Sequence, residues 1–126
     1  MKSHRSTALI IGVNGIVGSE IARRLAIRND WEVYGLSRSA HELPTGVHPI
    51  LTDLQDASGL AHALAGVRPT HVFFTAWSRQ ENEAENIRVN GAMVRNLFTA
   101  LSPTNSVRHA ALMTGLKHYM GPFEAY

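Results

Sequence analysis

The sequence predicts an α/β fold on a doubly wound parallel sheet, and three observations carry that prediction. Short apolar segments alternate with helix-patterned ones along the chain, as a parallel sheet with crossover helices requires. The first apolar segment, Ala8-Leu9-Ile10-Ile11, runs directly into three glycines at a spacing of three, Gly12, Gly15 and Gly18. The segment His71-Val72-Phe73-Phe74-Thr75 is apolar without alternation, as a strand covered on both faces would be.

A strand over 7–11 leads through the glycines into a helix over 16–28. Val17, Ile21 and Leu25 stand four apart there as its expected buried face, and Glu20 and Arg24 form an exposed i,i+4 pair. Asn29-Asp30 stops the helix, and a second strand over 31–36 leads into Ser37-Arg38-Ser39. Residues 40–48, with Pro44 and Gly46, read as a loop. A short third strand over 49–52 precedes Asp53 and a small helix over 56–65. Gly66 and Pro69 then punctuate the chain before the fourth strand, 71–75. The polar stretch 78–85 opens the longest helix, 83–101, whose expected apolar side carries Ile87, Val94, Phe98 and Leu101, with Pro103 just past its end. A fifth strand over 107–114 follows. The expected order is 3-2-1-4-5, a Rossmann-type sheet with its ligand outside the carboxyl ends of strands 1 and 4.

Composition narrows the classes. The 126 residues fit one domain, and 44% apolar with 17% charged residues is ordinary for a soluble globular chain. A net charge of +2 with scattered arginines argues against a nucleic-acid partner. The absence of cysteine excludes disulfides, thiolate chemistry and cysteine-held zinc, and no metal site is expected. No apolar run reaches bilayer length, and the first residues lack the apolar core of a secretory signal, so a cytoplasmic protein without a membrane partner is expected.

The glycines suit a pyrophosphate. Gly12 can make the tight turn, Gly15 removes the Cβ that would block the phosphates, and Gly18 lets the helix pack closely on the strand. The helix N-terminus adds free amides and partial positive charge. A plain structural turn uses the same residues; the strand before and the helix after favour dinucleotide binding. In NAD-binding versions an acid about twenty residues on holds the ribose 2′-hydroxyl. Residues 34–40 contain none, and Arg38 stands twenty residues after Gly18. Its guanidinium, with the hydroxyls of Ser37 and Ser39, suits the 2′-phosphate of NADP(H). A charged hydrogen bond of roughly 1.5–3 kcal/mol would give about a 10- to 100-fold preference. The other reading of Arg38 is a solvated loop arginine. Asp53 can accept from an adenine amino group or cap the next helix.

The string Thr114-Gly115-Leu116-Lys117-His118-Tyr119-Met120-Gly121-Pro122-Phe123-Glu124 resembles the progesterone 5β-reductase/iridoid synthase-like family of extended short-chain dehydrogenases/reductases. So do Thr75-Ala76-Trp77-Ser78, Glu83-Ala84-Glu85-Asn86, Val89-Asn90-Gly91-Ala92-Met93, the glycine loop and Ser37-Arg38, so that the resemblance runs from Ala8 to Tyr126. It implies NADPH-dependent reduction of the carbon–carbon double bond of a small enone or related activated alkene. It also implies that Gly12, Asn14, Gly15, Ile16 and Gly18 hold the pyrophosphate and Arg38 the 2′-phosphate. Asp53 and Leu54 would face the adenine, and Thr75, Ala76 and Trp77 would lie along the cofactor. Lys117 matches the catalytic lysine, and Phe123 and Tyr126 match positions lining the substrate pocket. Hydride addition to an enone builds negative charge on its oxygen, which a preorganised cation stabilises; without the string, Lys117 reads as a surface lysine. His118 and Tyr119 carry no catalytic assignment.

One departure stands out. The usual short-chain tyrosine lies four residues before its lysine, where this chain has Met113. The resembled family takes its tyrosine from a helix further downstream, and this chain ends nine residues after Lys117. The expectation is therefore the amino-terminal, cofactor-binding domain of such a reductase, truncated after strand 5 and weakly active or inactive as it stands. Ala110-Ala111-Leu112-Met113 would form an apolar edge open to self-association. A sugar-nucleotide epimerase or dehydratase would instead require NAD and a Tyr-x-x-x-Lys pair. A non-catalytic sensor module would bind NADP without turnover.

Overall fold

Ala8, Leu9, Ile10 and Ile11 are all fully buried, because their strand lies at the centre of the sheet with both faces covered. In the computed structural model, which describes residues 5–39 and 42–113, this strand is β1 (Ser6–Ile11). It pairs on one side with β2 (Trp31–Ser37) and on the other with β4 (His71–Phe74). β3 (Val47–Leu51) lies outside β2, and β5 (His109–Leu112) outside β4. Every pairing is parallel, and the order is β3-β2-β1-β4-β5, as the alternation of segments predicts.

Successive side chains of a strand point to opposite faces, which divides the core in two. Leu9, Ile11, Val72 and Phe74 point to the face covered by α2 (Ala57–Ala63) and α3 (Glu83–Leu101), where Leu60, Met93 and Leu97 meet them. Ile10 and Val33 point the other way, onto Val13 and Ala22 beside α1 (Ile16–Ala26). Gly35 belongs to that second face: a Cβ there would lie 2.7 Å from a methyl of Val13, so β2 carries a glycine where Val13 tucks beneath it. A single turn of 3-10 helix, Ser102–Thr104, follows α3.

Two helix faces differ from expectation. On α1 the buried residues are Gly18 and Ala22, while Val17 is 43% exposed and Ile21 and Leu25 flank the contact. The helix sits so close to β1 that only the smallest residues fit between them. On α3 the buried stripe is Asn86, Val89, Asn90, Met93, Leu97 and Leu101. Ile87 is 71% exposed, and Val94 and Phe98 lie only at the border of the core. Two buried asparagines hide that stripe from a purely hydrophobic count.

The element ends shift by a few residues as fraying ends do: α1 stops at Ala26, β3 starts at Val47, and β5 covers only 109–112. The residue that caps α2 is Asp56, accepting from the Gly59 amide at 3.1 Å. Asp53 does not cap it. All four residues of β5 are exposed, and no helix among the described residues is long and apolar enough to cross a membrane.

Candidate functional site

The carboxyl ends of β1, β2 and β4 meet around the glycine turn. Gly12 has a φ of 84°, in the left-handed region, and a Cβ on it would lie 2.9 Å from the Ala76 nitrogen and 2.8 Å from the Thr75 hydroxyl. Both the conformation and the space demand glycine. The Gly15 amide donates to the Gly12 carbonyl at 3.0 Å and closes the turn. At Gly18 a Cβ would fall 2.2 Å from the Gly12 carbonyl oxygen, so the helix approaches the turn by backbone contact.

Gly15 is different. It is the N-cap of α1 in an extended conformation, and among the described residues other than its chain neighbours a Cβ placed on it would come within 4 Å only of the Gly12 oxygen, at 3.4 Å. Folding alone leaves room for a methyl there. The first turn of α1 has no side-chain cap and no acidic residue, and Asn14, Gly15, Ile16 and Val17 are all exposed. An exposed helix N-terminus, with no acidic residue in its first turn and no side-chain cap among the described residues, fits an anionic group such as a pyrophosphate.

Beside the turn, the Gly12 amide donates to the Leu36 carbonyl at 3.2 Å, bringing the tip of β2 next to it. The chain leaves the sheet there through Ser37, Arg38 and Ser39. Ser37 donates its hydroxyl to the Ser39 carbonyl at 2.9 Å, making a local turn. Arg38 is exposed, and no carboxylate among the described residues pairs with it. Beyond β3, Asp53 is exposed and its Oδ1 accepts from the Gln55 amide at 2.9 Å. Leu54 is turned into the core, and its carbonyl accepts from Asn96 at 2.8 Å.

At the tip of β4, Thr75 is half-buried. Its hydroxyl donates to the Ile11 carbonyl at 2.6 Å, with the Gly12 carbonyl 3.3 Å away, so it ties β4 to the glycine turn from below. Ala76 is half-buried and Trp77 is 63% exposed. Ser78 and Gln80 are held from α3: Asn90 bonds both the amide and the carbonyl of Ser78, and Asn86 accepts from the Gln80 amide at 2.7 Å. These asparagines form no part of the expected site. Their signal was an i,i+4 pair of asparagines within an apolar helix.

The structure therefore brings Gly12, Asn14, Gly15, Ile16, Gly18, Ser37, Arg38, Thr75, Ala76 and Trp77 to one end of the sheet, with Asp53 and Leu54 following β3. Lys117, Phe123 and Tyr126 lie outside the described residues. A shallow groove lined by Arg95, Phe98, Thr99, Ser102 and Pro103 lies at the far end of α3 and contains none of these residues. No group of three or more metal-ligating side chains occurs among the described residues.

Residues 8–117 match the NAD dependent epimerase/dehydratase family. Over 133 residues the chain is 40% identical to a 3-oxo-Delta(4,5)-steroid 5-beta-reductase of Arabidopsis thaliana, covering 97% of this chain and 34% of that protein. It is 40% identical over 131 residues to an (S)-8-oxocitronellyl enol synthase of Camptotheca acuminata, with the same coverages of 97% and 34%. The resemblance seen in the sequence thus extends over nearly the whole chain. The chain spans about a third of the length of the curated relatives it matches. Among solved structures, WbmH of Bordetella bronchiseptica in complex with NAD+ superposes with a TM-score of 0.73 at 22% identity, over 95% of this chain and 43% of that one, a likeness of fold.

Proposed function

The chain belongs to the NAD dependent epimerase/dehydratase family, and from that premise we propose that it is the NADP(H)-binding part of a reductase acting on activated carbon–carbon double bonds in small carbonyl compounds. One observation supports the cofactor above the rest: the open glycine turn stands beside a β2 tip that carries Arg38, paired with no carboxylate among the described residues, where an NAD site would carry an acid. The similarity to a steroid 5-beta-reductase supports the reaction class.

In this reading the turn from Gly12 to Gly18, with Asn14 and Ile16, binds the pyrophosphate on the first amides of α1. Ser37 and Arg38 bind the 2′-phosphate. Asp53 accepts from the adenine, with Leu54 packed behind it, and the chain at 75–77 borders the other half of the cofactor. Lys117 is the catalytic residue, and Phe123 and Tyr126 are walls of the substrate pocket. NADPH, when bound, supplies the hydride; the residues here bind it, orient it and place positive charge near the substrate oxygen. A cytoplasmic location belongs to the same proposal. The exposed β5 edge is the surface through which copies of the chain would associate.

Calorimetric titration of the chain with NADPH and NADH tests the cofactor. NADPH should bind about 10- to 100-fold more tightly, and Arg38→Ala should remove that preference. Equal affinity of the unaltered chain for the two would overturn it.

A further inference from the structure

We infer that Asn86 and Asn90 are positioning residues: from inside α3 they hold residues 75–80 in the shape that admits the nicotinamide half of the cofactor. This rests on the proposed cofactor.

Both asparagines are 7% exposed. Asn90 Oδ1 accepts from the Ser78 amide at 2.8 Å, while its Nδ2 donates to the Ser78 carbonyl at 2.8 Å and to the Asn86 carbonyl at 2.9 Å. Asn86 Oδ1 accepts from the Gln80 amide at 2.7 Å. Buried amides are unfavourable unless their polar atoms are paired, and packing alone would be served by alanine or leucine. Here the pairing is directed at the backbone of one irregular segment. That segment lies outside any strand or helix, and its backbone polar groups need partners from elsewhere.

The segment is thus tied at both ends. Thr75 fastens its start to Ile11, and the asparagines fasten Ser78 and Gln80 to α3. Ala76 and Trp77 lie between the ties. Ala76 has no spare distance from the glycine turn, since its nitrogen would be 2.9 Å from a Cβ at Gly12. If the asparagine tie is released, this stretch is free to move against the turn and into the cofactor's path. The effect falls on one half of the cofactor only. Ser37 and Arg38 lie at the tip of β2, on the opposite side of β1 from β4.

The test uses two ligands: NADPH, and adenosine 2′,5′-bisphosphate, which carries the adenine, its ribose and the 2′-phosphate but no nicotinamide half. Asn90→Ala should weaken NADPH by about tenfold or more while changing the bisphosphate by less than about twofold. Asn86→Ala, which loses one bond and leaves Ser78 held, should show a smaller loss with the same selectivity. It decides the question by the same criterion if Asn90→Ala does not fold. The ratio of NADPH to NADH affinity should stay as in the unaltered chain. Equal weakening of both ligands would mean general loosening, and unchanged NADPH binding would mean that the tie is irrelevant; either overturns the inference. An unaltered chain that binds neither ligand overturns the cofactor proposal and this inference together.

Discussion

Gly15→Ala separates what the turn does for folding from what it does for a ligand. Gly15 is extended, with φ −78° and ψ 173°, a conformation that alanine adopts without strain. Among the described residues a Cβ there meets the Gly12 oxygen, at 3.4 Å, a distance relieved by a few tenths of an ångström. Losing glycine stiffens the unfolded chain, which favours folding by about 0.4–1 kcal/mol. Alanine is the poorer N-cap, which opposes this by a similar amount, so stability should stay within about 1 kcal/mol of the parent. The methyl does, however, occupy the open side of the turn. An anion kept from hydrogen-bonding distance of the α1 amides loses charge-assisted bonds of roughly 1.5–3 kcal/mol, or about 10- to 100-fold in affinity. Denaturant melts with calorimetric NADPH titration read both quantities. A variant as stable as the parent that bound NADPH equally well would show that no phosphate sits against Gly15.

Gly18 and Gly91, both within helices, should respond to alanine in opposite directions. Gly18→Ala places its Cβ 2.2 Å from the Gly12 oxygen, so α1 must retreat, at a cost of about 1–3 kcal/mol or more that outweighs the helix-propensity gain. Gly91→Ala meets only the mobile end of Arg95, at 3.5 Å, and should stabilise by about 0.5–1 kcal/mol; thermal melts shifting the same way for both would refute the packing assigned to α1. At the other end of the sheet His71 lies with its ring centroid 5.0 Å from that of His109 and 4.7 Å from that of Trp31. Burial first, then His109 and Arg108, push its pKa below the usual 6.5, so the unfolded chain takes up its proton at higher pH than the folded one. The stability it contributes is intact above about pH 6.5 and falls as pH drops toward the lowered folded value. Melts from about pH 7.5 to about pH 5 should show a decline that His71→Phe flattens, and a midpoint rising on acidification would contradict this sign.

Much of the fold was legible because its cues are local. Ala8 to Ile11 followed by glycine is the pattern of a central parallel strand with both faces covered, whereas His71 to Phe74, apolar without alternation, buries only Val72 and Phe74 fully and leaves His71 and Phe73 half-buried. The helix faces were less legible because they depend on what each helix rests against. Val17 is a better hydrophobe than Gly18, yet α1 buries Gly18 because its backbone meets that of Gly12. Asp53 and Asp56 are equally plausible caps by residue type, and only the start of α2 at Ala57 chooses between them. The match of Gly35 to Val13 has no local cue, since the two residues meet only through the crossing of the chain from β1 into α1 over β2.

The candidate site divides along the same physical line. Its glycine-turn side is made by missing side chains, and an absent Cβ is written in the sequence as glycine. Arg38 is equally visible, because the lack of an acid at the end of a strand needs no tertiary information. The opposite side is made by backbone that has no regular hydrogen-bonding pattern of its own. Thr75 reads as a residue lying along the ligand, but its hydroxyl is engaged with the Ile11 carbonyl, which leaves the following backbone and Trp77 to border the cleft. What shapes that backbone is supplied by Asn86 and Asn90, eight and twelve residues beyond Ser78 and on another element. Residue type alone makes them candidates for a solvated helix face, and burial reverses that assignment. An asparagine buried at helical spacing inside an apolar stripe is therefore a pointer to an irregular segment nearby, because unpaired backbone groups are what a buried amide is suited to satisfy.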